Sequence, residues 1–355
     1  MKGLILSGGR GTRLRPLTYT SAKQLVPVAN KPVLFYGIEA MAAAGIRDIG
    51  IVVGDTQAEI RAAVGDGSRW DVRVTYIEQD APRGLAHGVL IAEPFIGRDP
   101  FVMYLGDNLL NRGITHFVEE FIRERPAAQI LLAHVPDPQM FGVAELSDGR
   151  VVRLVEKPQQ PKSDLALVGV YMFSTAVFES VKRIRPSFRN ELEITDAIQD
   201  LIDHGLEVRP HIVDGWWKDT GKLEDMHEAN RLLLDTFERK NEGTVDGASR
   251  VEGKVVIEAG ATIERSVVRG PAIIGSGARI VNAYVGPFTS IMKGVEILDS
   301  EIEHSIVLEG SCISNLANRV EDSLIGRNVR IYRMPMKPSA YRFMLGDNSE
   351  VGIRW

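Results

Sequence analysis

The stretch Ser7-Gly8-Gly9-Arg10-Gly11-Thr12-Arg13, with Lys23 ten residues further on, sets a bendable backbone beside a series of cations. A glycine-rich turn between a strand and a helix presents backbone N–H groups to an anion. On the glycines alone, the turn reads equally well as a tight connection without a ligand. It fits neither the G-x-G-x-x-G dinucleotide fingerprint nor the G-x-x-x-x-G-K-[ST] loop. Gly221-Lys222 is no such loop either, because Leu223 stands at the hydroxyl position. Arg13 and Lys23 decide for a ligand. An arginine fork suits the outer phosphates of a triphosphate, and a lysine point charge suits the α-phosphate.

Asp107 closes the apolar run Phe101-Val-Met-Tyr-Leu-Gly106, and Asp219 follows Trp216-Trp217-Lys218. Ligands of open α/β sheets collect at the carboxyl ends of strands. Two carboxylates there would suit Mg²⁺, which binds few protein carboxylates beside substrate phosphates. The bland alternatives stay open: Asp107 as a turn residue in Gly-Asp-Asn, and Asp219 as a helix cap before Thr220-Gly221. Glu156-Lys157 reads either as a solvated charge pair or as part of a phosphate site, with Pro158 predicting an extended backbone at Lys157. Gln79 follows the strand-like VTYIE; its amide both donates and accepts, as the edge of a thymine or uracil ring requires. Gly84 would let the backbone approach that base.

The elements that must position these residues fall into two grammars. Up to about Asp235, short apolar runs (GLIL, IGIVVG, VRVTYIEQ, FVMYLGDN, QILLAHV) alternate with amphipathic ones (PVLFYGIEAMAAAGI, TQAEIRAAVG, THFVEEFIRER). That order predicts an α/β fold with a mostly parallel, Rossmann-like sheet covered on both faces. A last helix is expected over LEDMHEANRLLLDTFERK, giving a catalytic domain over 1–240. Residues 241–355 carry a repeat instead: Ile257-EAGAT-Ile263, Ile274-GSGAR-Ile280, Ile291-MKGVE-Ile297, Val307-LEGSC-Ile313, Ile325-GRNVR-Ile331 and Leu345-GDNSE-Val351. The fourth position is always Gly260, Gly277, Gly294, Gly310, Asn328 or Asn348, residues that tolerate a left-handed corner. The spacing of 16 to 20 residues predicts a left-handed parallel β-helix of hexapeptide repeats.

Among 355 residues the formal net charge is −5, so there is no basic excess for a nucleic-acid partner. Cys312 is the only cysteine, which leaves no internal disulfide, and no run approaches a membrane span. A soluble, cytoplasmic homo-oligomer is expected, with the β-helix faces joining copies.

GGRGTRLRPLT and SAKQLVPVANKPVL closely resemble the signature of the sugar-1-phosphate nucleotidyltransferases. The resemblance continues through YLGDN at 104–108, FGVAEL at 141–146, VEKP at 155–158, VGVYMF at 168–173, ELEITD at 191–196 and WWKDTG at 216–221. Lys23-Gln24-Leu25 is most similar to the branch using dTTP and glucose-1-phosphate, and the appended repeat to its longer members. The resemblance implies a nucleotide site of Leu6, Gly8, Gly9, Gly11, Thr12, Arg13, Gln24, Gln79, Gly84 and Asp107. It implies Arg13, Lys23 and Lys157 as catalytic cations, and Mg²⁺ on Asp107 and Asp219. It also implies a sugar-phosphate site of Gly142, Glu156, Lys157, Val168, Tyr171 and Arg189. UTP in place of dTTP is one alternative, since a pocket rejects the loss of one methyl only modestly. Acetyl transfer by the β-helix around His304 is another. A scaffold that had lost activity would not keep all of Arg13, Lys23, Asp107, Lys157 and Asp219.

Overall fold

A computed structural model describes residues 1–9, 11–334 and 351 of the chain. By packing it divides into two units. One comprises Met1–Gly11, Ser21–Pro27 and Lys31–Gly221; the other comprises Thr12–Thr20, Val28–Asn30 and the residues from Lys222 onward.

The first unit is built on a nine-stranded sheet. Its parallel centre is β1 (Lys2–Leu6), flanked by β2 (Asp48–Val53) and then β3 (Arg73–Glu78) on one side, and by β4 (Phe101–Leu105) on the other. Between these strands run α1 (Val33–Ala43), α2 (Gln57–Val64) and α3 (Leu85–Ile91). The apolar runs are continuous because both sheet faces are covered: Leu4 and Leu6 enter one core cluster, Ile5 the other.

Beyond β4 come β5 (Asn108–Leu110), α4 (Thr115–Glu124) and β6 (Ala128–His134). The antiparallel pair β7 (Gly142–Ser147) and β8 (Arg150–Glu156) follows, then β9 (Leu165–Phe173). Strand β9 runs antiparallel to β4, β6 and β7, so this side of the sheet is mixed. Its side chains alternate between the two cores without a break across a register irregularity between Leu167 and Tyr171: Leu167 and Tyr171 join one cluster, Val168 and Val170 the other. Helices α5 (Ala176–Arg183) and α6 (Ile194–Asp203), and strands β10 (Val208–Ile212) and β11 (Trp217–Asp219), complete the unit.

The second unit contains α7 (Leu223–Asp235) and the left-handed parallel β-helix. Helix α7 stops five residues short of the expected end: Thr236 and Phe237 turn back onto Leu233 and Leu234, and Phe237 packs with Ile273. Lys240–Asn241 already forms the first coil strand. Three sheets of six, six and four strands make the walls. Ile257, Ile274, Ile291, Val307 and Ile325 stack in one, and Ile263, Ile280, Ile297, Ile313 and Ile331 in the next. These are the first and seventh positions of the repeat.

Gly260, Gly277, Gly294, Gly310 and Asn328 all have φ between 55° and 78°, the left-handed corner their types predict. The sixth repeat, with Asn348, lies outside the described residues apart from Val351. Two further corner series use no glycine at these positions: Arg265, Asn282, Asp299 and Asn315 in one, Phe288, His304 and Asp322 in the other. His304 gives its Nδ1 to the Asp322 carboxylate and stacks at 5.8 Å on His227, a structural engagement at a corner.

Candidate active site

Strand β1 ends at Leu6, whose side chain is in the core and whose carbonyl accepts the Gly106 N–H at 3.0 Å. The chain then opens into Ser7 and the glycines. A Cβ on Gly8 would lie 2.8 Å from Gln79 Oε1, closer than real Cβ contacts. Glycine thus lets the loop pass with the Gln79 amide in its present place. Gln79 is held from both ends: its N–H donates to the Val53 carbonyl at 2.8 Å, and its Nε2 lies 3.0 Å from His87 Nδ1. Burial, then the Arg83 charge, keeps the His87 pKa below its ordinary value.

Lys23 and Gln24 stand over Gly9: a Cβ there would lie 3.7 Å from Lys23 Cε and 3.8 Å from Gln24 Nε2. Gln24 is 2% exposed, and its Oε1 is buried without a hydrogen-bond partner, as is Ser7 Oγ. Orphaned acceptors beside a glycine turn mark a place where a ligand supplies the missing bonds.

The Lys23 ammonium forms an ion pair with Asp107 Oδ2. The carboxylate's other oxygen accepts from Asn108 Nδ2 at 3.0 Å, and Asn108 Oδ1 in turn accepts the Trp217 indole N–H at 2.6 Å. Thr220 binds the Asp107 carbonyl twice, through N–H at 3.0 Å and through Oγ1 at 2.8 Å. Strands β5 and β11 pair antiparallel, with Asp219 directly opposite Asn108. Asp107 and Asp219 thus stand on neighbouring strand ends beside a lysine cation. Two hard carboxylates at such a place are the donor type a divalent cation takes, with substrate oxygens completing its shell.

A second cluster lies at the β7–β8 hairpin, where Gly142 pairs with Glu156. A Cβ at Gly142 would meet Thr195 at 2.6 Å and Glu156 Oε2 at 3.2 Å. Glu156 accepts from Arg189 Nη1 at 3.2 Å and from Thr195 Oγ1 at 3.3 Å. Burial, then the neighbouring Glu193, raises the Glu156 pKa, against the pull of Lys157 and Arg189. Arg189 also pairs with Glu191 and, at 3.5 Å, with Glu193. Tyr171 is buried, and burial followed by the Glu156 charge raises its phenol pKa.

One expectation changes here. Lys157 is not extended: its φ is +42°, held where its N–H donates to the Phe141 carbonyl at 3.0 Å as the hairpin ends. Tertiary pairing overrides the local proline preference. The Val168 side chain is 0% exposed in the core on the other side of the strand from Tyr171, which leaves its backbone as the part that could face a sugar. At Gly84, with φ +100°, the missing Cβ also leaves room for the Leu192 backbone, which it would otherwise meet.

Arg13 and Thr12 are exposed in the short turn Thr12–Leu14, and Gly11 has φ +61°. Arg10 lies outside the described residues. The sequence reading missed Ser7, His87, Asn108, Glu193, Thr195 and Trp217. Of these, all but His87 stand inside the quoted motifs, yet nothing local gave them a role.

A glycine turn holding a lysine–aspartate pair at the carboxyl end of a parallel sheet defines a nucleotide-transferring enzyme. The chain belongs to the nucleotidyl transferase family, whose model matches residues 2–236. It is similar to the glucose-1-phosphate thymidylyltransferase of Streptomyces griseus, 57% identical over 99% of both chains. It is likewise similar to that of Streptomyces antibioticus, 56% identical over the full length of both. A Bacillus anthracis crystal structure named for the same activity is 36% identical with a TM-score of 0.64, covering 68% of this chain and 98% of that one.

Proposed function

We propose that the protein transfers a thymidylyl group from dTTP to glucose-1-phosphate, giving dTDP-glucose and pyrophosphate. A phosphate oxygen of the sugar phosphate forms a bond to the α-phosphorus while the bond to the bridging oxygen of pyrophosphate breaks on the opposite side. The protein's work is alignment and neutralisation of charge. Gly8, Gly9 and Gly11 receive the triphosphate, Arg13 holds its outer phosphates and Lys23 the α-phosphate. Gln79, set by His87, and Gln24 read the base. Lys157 and Arg189 hold the sugar phosphate, and Glu156 accepts hydrogen bonds from sugar hydroxyls. Asp107 and Asp219 would hold Mg²⁺, which supplies charge neutralisation at the phosphates.

The observation that carries this reading is the convergence of Gly8, Gly9, Gln24, Lys23 and Asp107, with two buried acceptors left unpaired. The chain's acidity and single cysteine suit a cytoplasmic enzyme with a small anionic substrate, and the flat coil faces suit a homo-oligomer. Pyrophosphate release with glucose-1-phosphate, Mg²⁺ and each of dTTP, UTP, ATP, CTP and GTP tests it. The highest kcat/KM is expected with dTTP. Higher values with UTP would reassign the base, and none with any of the five would remove the proposed acceptor.

A further inference from the structure

The residues that follow the glycine turn are grouped with a different unit from the turn itself. Thr12–Thr20 belongs to the β-helix unit, as does Val28–Asn30; Ser21–Pro27, carrying Lys23 and Gln24, returns to the sheet unit. Between Gly11 and Lys31 the chain therefore touches the β-helix twice.

The first foothold is Leu17, which packs onto the β-helix core. Its Cδ2 lies against Gly326, where a Cβ would be only 3.3 Å away. Gly326 follows Ile325 at the end of the last strand in its sheet. The segment is compact in itself: short turns form at Thr12–Leu14 and Leu17–Tyr19, and the Arg15 guanidinium lies 4.7 Å from the Tyr19 ring centroid. Fixing Leu17 thus fixes a body of residues that includes Arg13.

The second foothold is polar. The Ala29 N–H donates to Asn230 Oδ1 at 2.9 Å, and Asn30 Nδ2 donates to the Ile291 carbonyl at 2.7 Å. Asn230 is 1% exposed; its amide donates to the Phe288 carbonyl at 2.9 Å, and its oxygen also accepts from Ser290 Oγ at 2.6 Å. Ala29 packs with Leu234 and Ile273. Neither the sheet of the first unit nor the nucleotide chemistry requires these bonds.

We propose that the β-helix is a positioning element for nucleotide binding, with Leu17 and Asn230 as positioning residues that hold the Arg13 segment and the turn beyond Lys23. The proposal rests on the assignment of Arg13 and Lys23 to the triphosphate. It gives the repeat domain a part in the reaction beyond joining copies.

Steady-state kinetics on the full chain test it. Leu17→Ala should raise the KM for dTTP about tenfold, the loss of roughly one charge-assisted contact, and leave the KM for glucose-1-phosphate within twofold. Leu17→Ile should restore the wild-type KM for dTTP, because it refills the contact with Gly326. Thermal unfolding of both variants, followed by circular dichroism, separates a positioning effect from loss of fold. An unchanged KM for dTTP in a folded Leu17→Ala, or equal rises for both substrates, would overturn the proposal. Arg13→Ala tells the two readings apart. If it raises the KM for dTTP and Leu17→Ala does not, only the positioning role falls. If Arg13→Ala itself has no effect, the assignment beneath it falls too.

Discussion

Replacing Gly8 by alanine is a sharp test of how the base is read. The added methyl would lie 2.8 Å from Gln79 Oε1 with no other atom nearer than 3.9 Å. The obstructing atom is the far end of a flexible side chain, so the Gln79 amide gives way and the backbone stays. It then loses its placement beside His87 Nδ1, at 3.0 Å in the native arrangement. A displaced neutral hydrogen bond is worth about 0.5–1.5 kcal/mol, or roughly two- to tenfold in affinity. Gly8→Ala should therefore raise the KM for dTTP by about that factor, with melting temperature and the KM for glucose-1-phosphate unchanged. A double-mutant cycle isolates the path. In a Gln79→Ala background the substitution at Gly8 should add little, because its target is gone. Full additivity would mean that the methyl obstructs the ligand directly, and would refute the route through Gln79.

Asp107→Asn should cut kcat by at least about a hundredfold, with the fold retained, since asparagine keeps the shape that Asn108 braces; near-normal kcat at low Mg²⁺ would remove Asp107 from the metal site. Lys157→Ala should raise the KM for glucose-1-phosphate more than that for dTTP, and the reverse ratio would move Lys157 to the nucleotide. His227 has both ring nitrogens buried without hydrogen-bond partners, and burial, then His304, lowers its pKa below 6.5, against Asp322 and Glu224. The unfolded chain takes up this proton first as pH falls, so the stability His227 contributes is complete above about pH 6.5 and declines below it. Melting temperatures between pH 7.5 and 5.5 should accordingly fall less steeply in His227→Phe than in the wild type, and equal slopes would deny the effect.

What the sequence revealed depended on the range of the forces involved. The corner at Gly260, Gly277, Gly294, Gly310 and Asn328 is a local steric demand, met by one residue type in one place, so it is readable as text. The corner series through Arg265, Asn282, Asp299 and Asn315 adopts the same backbone without glycine, because the stacked coils impose it, and it leaves a fainter signature. Strand direction was equally hidden: LALVGVYMF is apolar whether it runs with its neighbours or against them, because both of its faces are buried. Lys157 and Gly84 show the same limit at the site. In both, a partner distant in sequence, Phe141 or Leu192, sets a conformation that the local dipeptide does not predict. The Asp107–Asn108–Trp217 chain links positions more than a hundred residues apart, and only the pairing of two short strands brings it into being.

A repeat of stacked coils ordinarily gains or loses whole turns at little cost, since each touches only its neighbours. Here the foothold of Asn30 is on the Ile291 carbonyl and that of Leu17 beside Ile325, two strand steps along the same sheet. Each step is about 4.8 Å, so the footholds stand about 10 Å apart. Deleting one coil between them would slide one anchorage past the other by a full strand, and no side-chain change could span the gap. The number of coils between Ile291 and Ile325 is therefore fixed by the length of the loop that straddles them. In this stretch the repeat behaves as a ruler, graduated in strands and read by the chain at its other end.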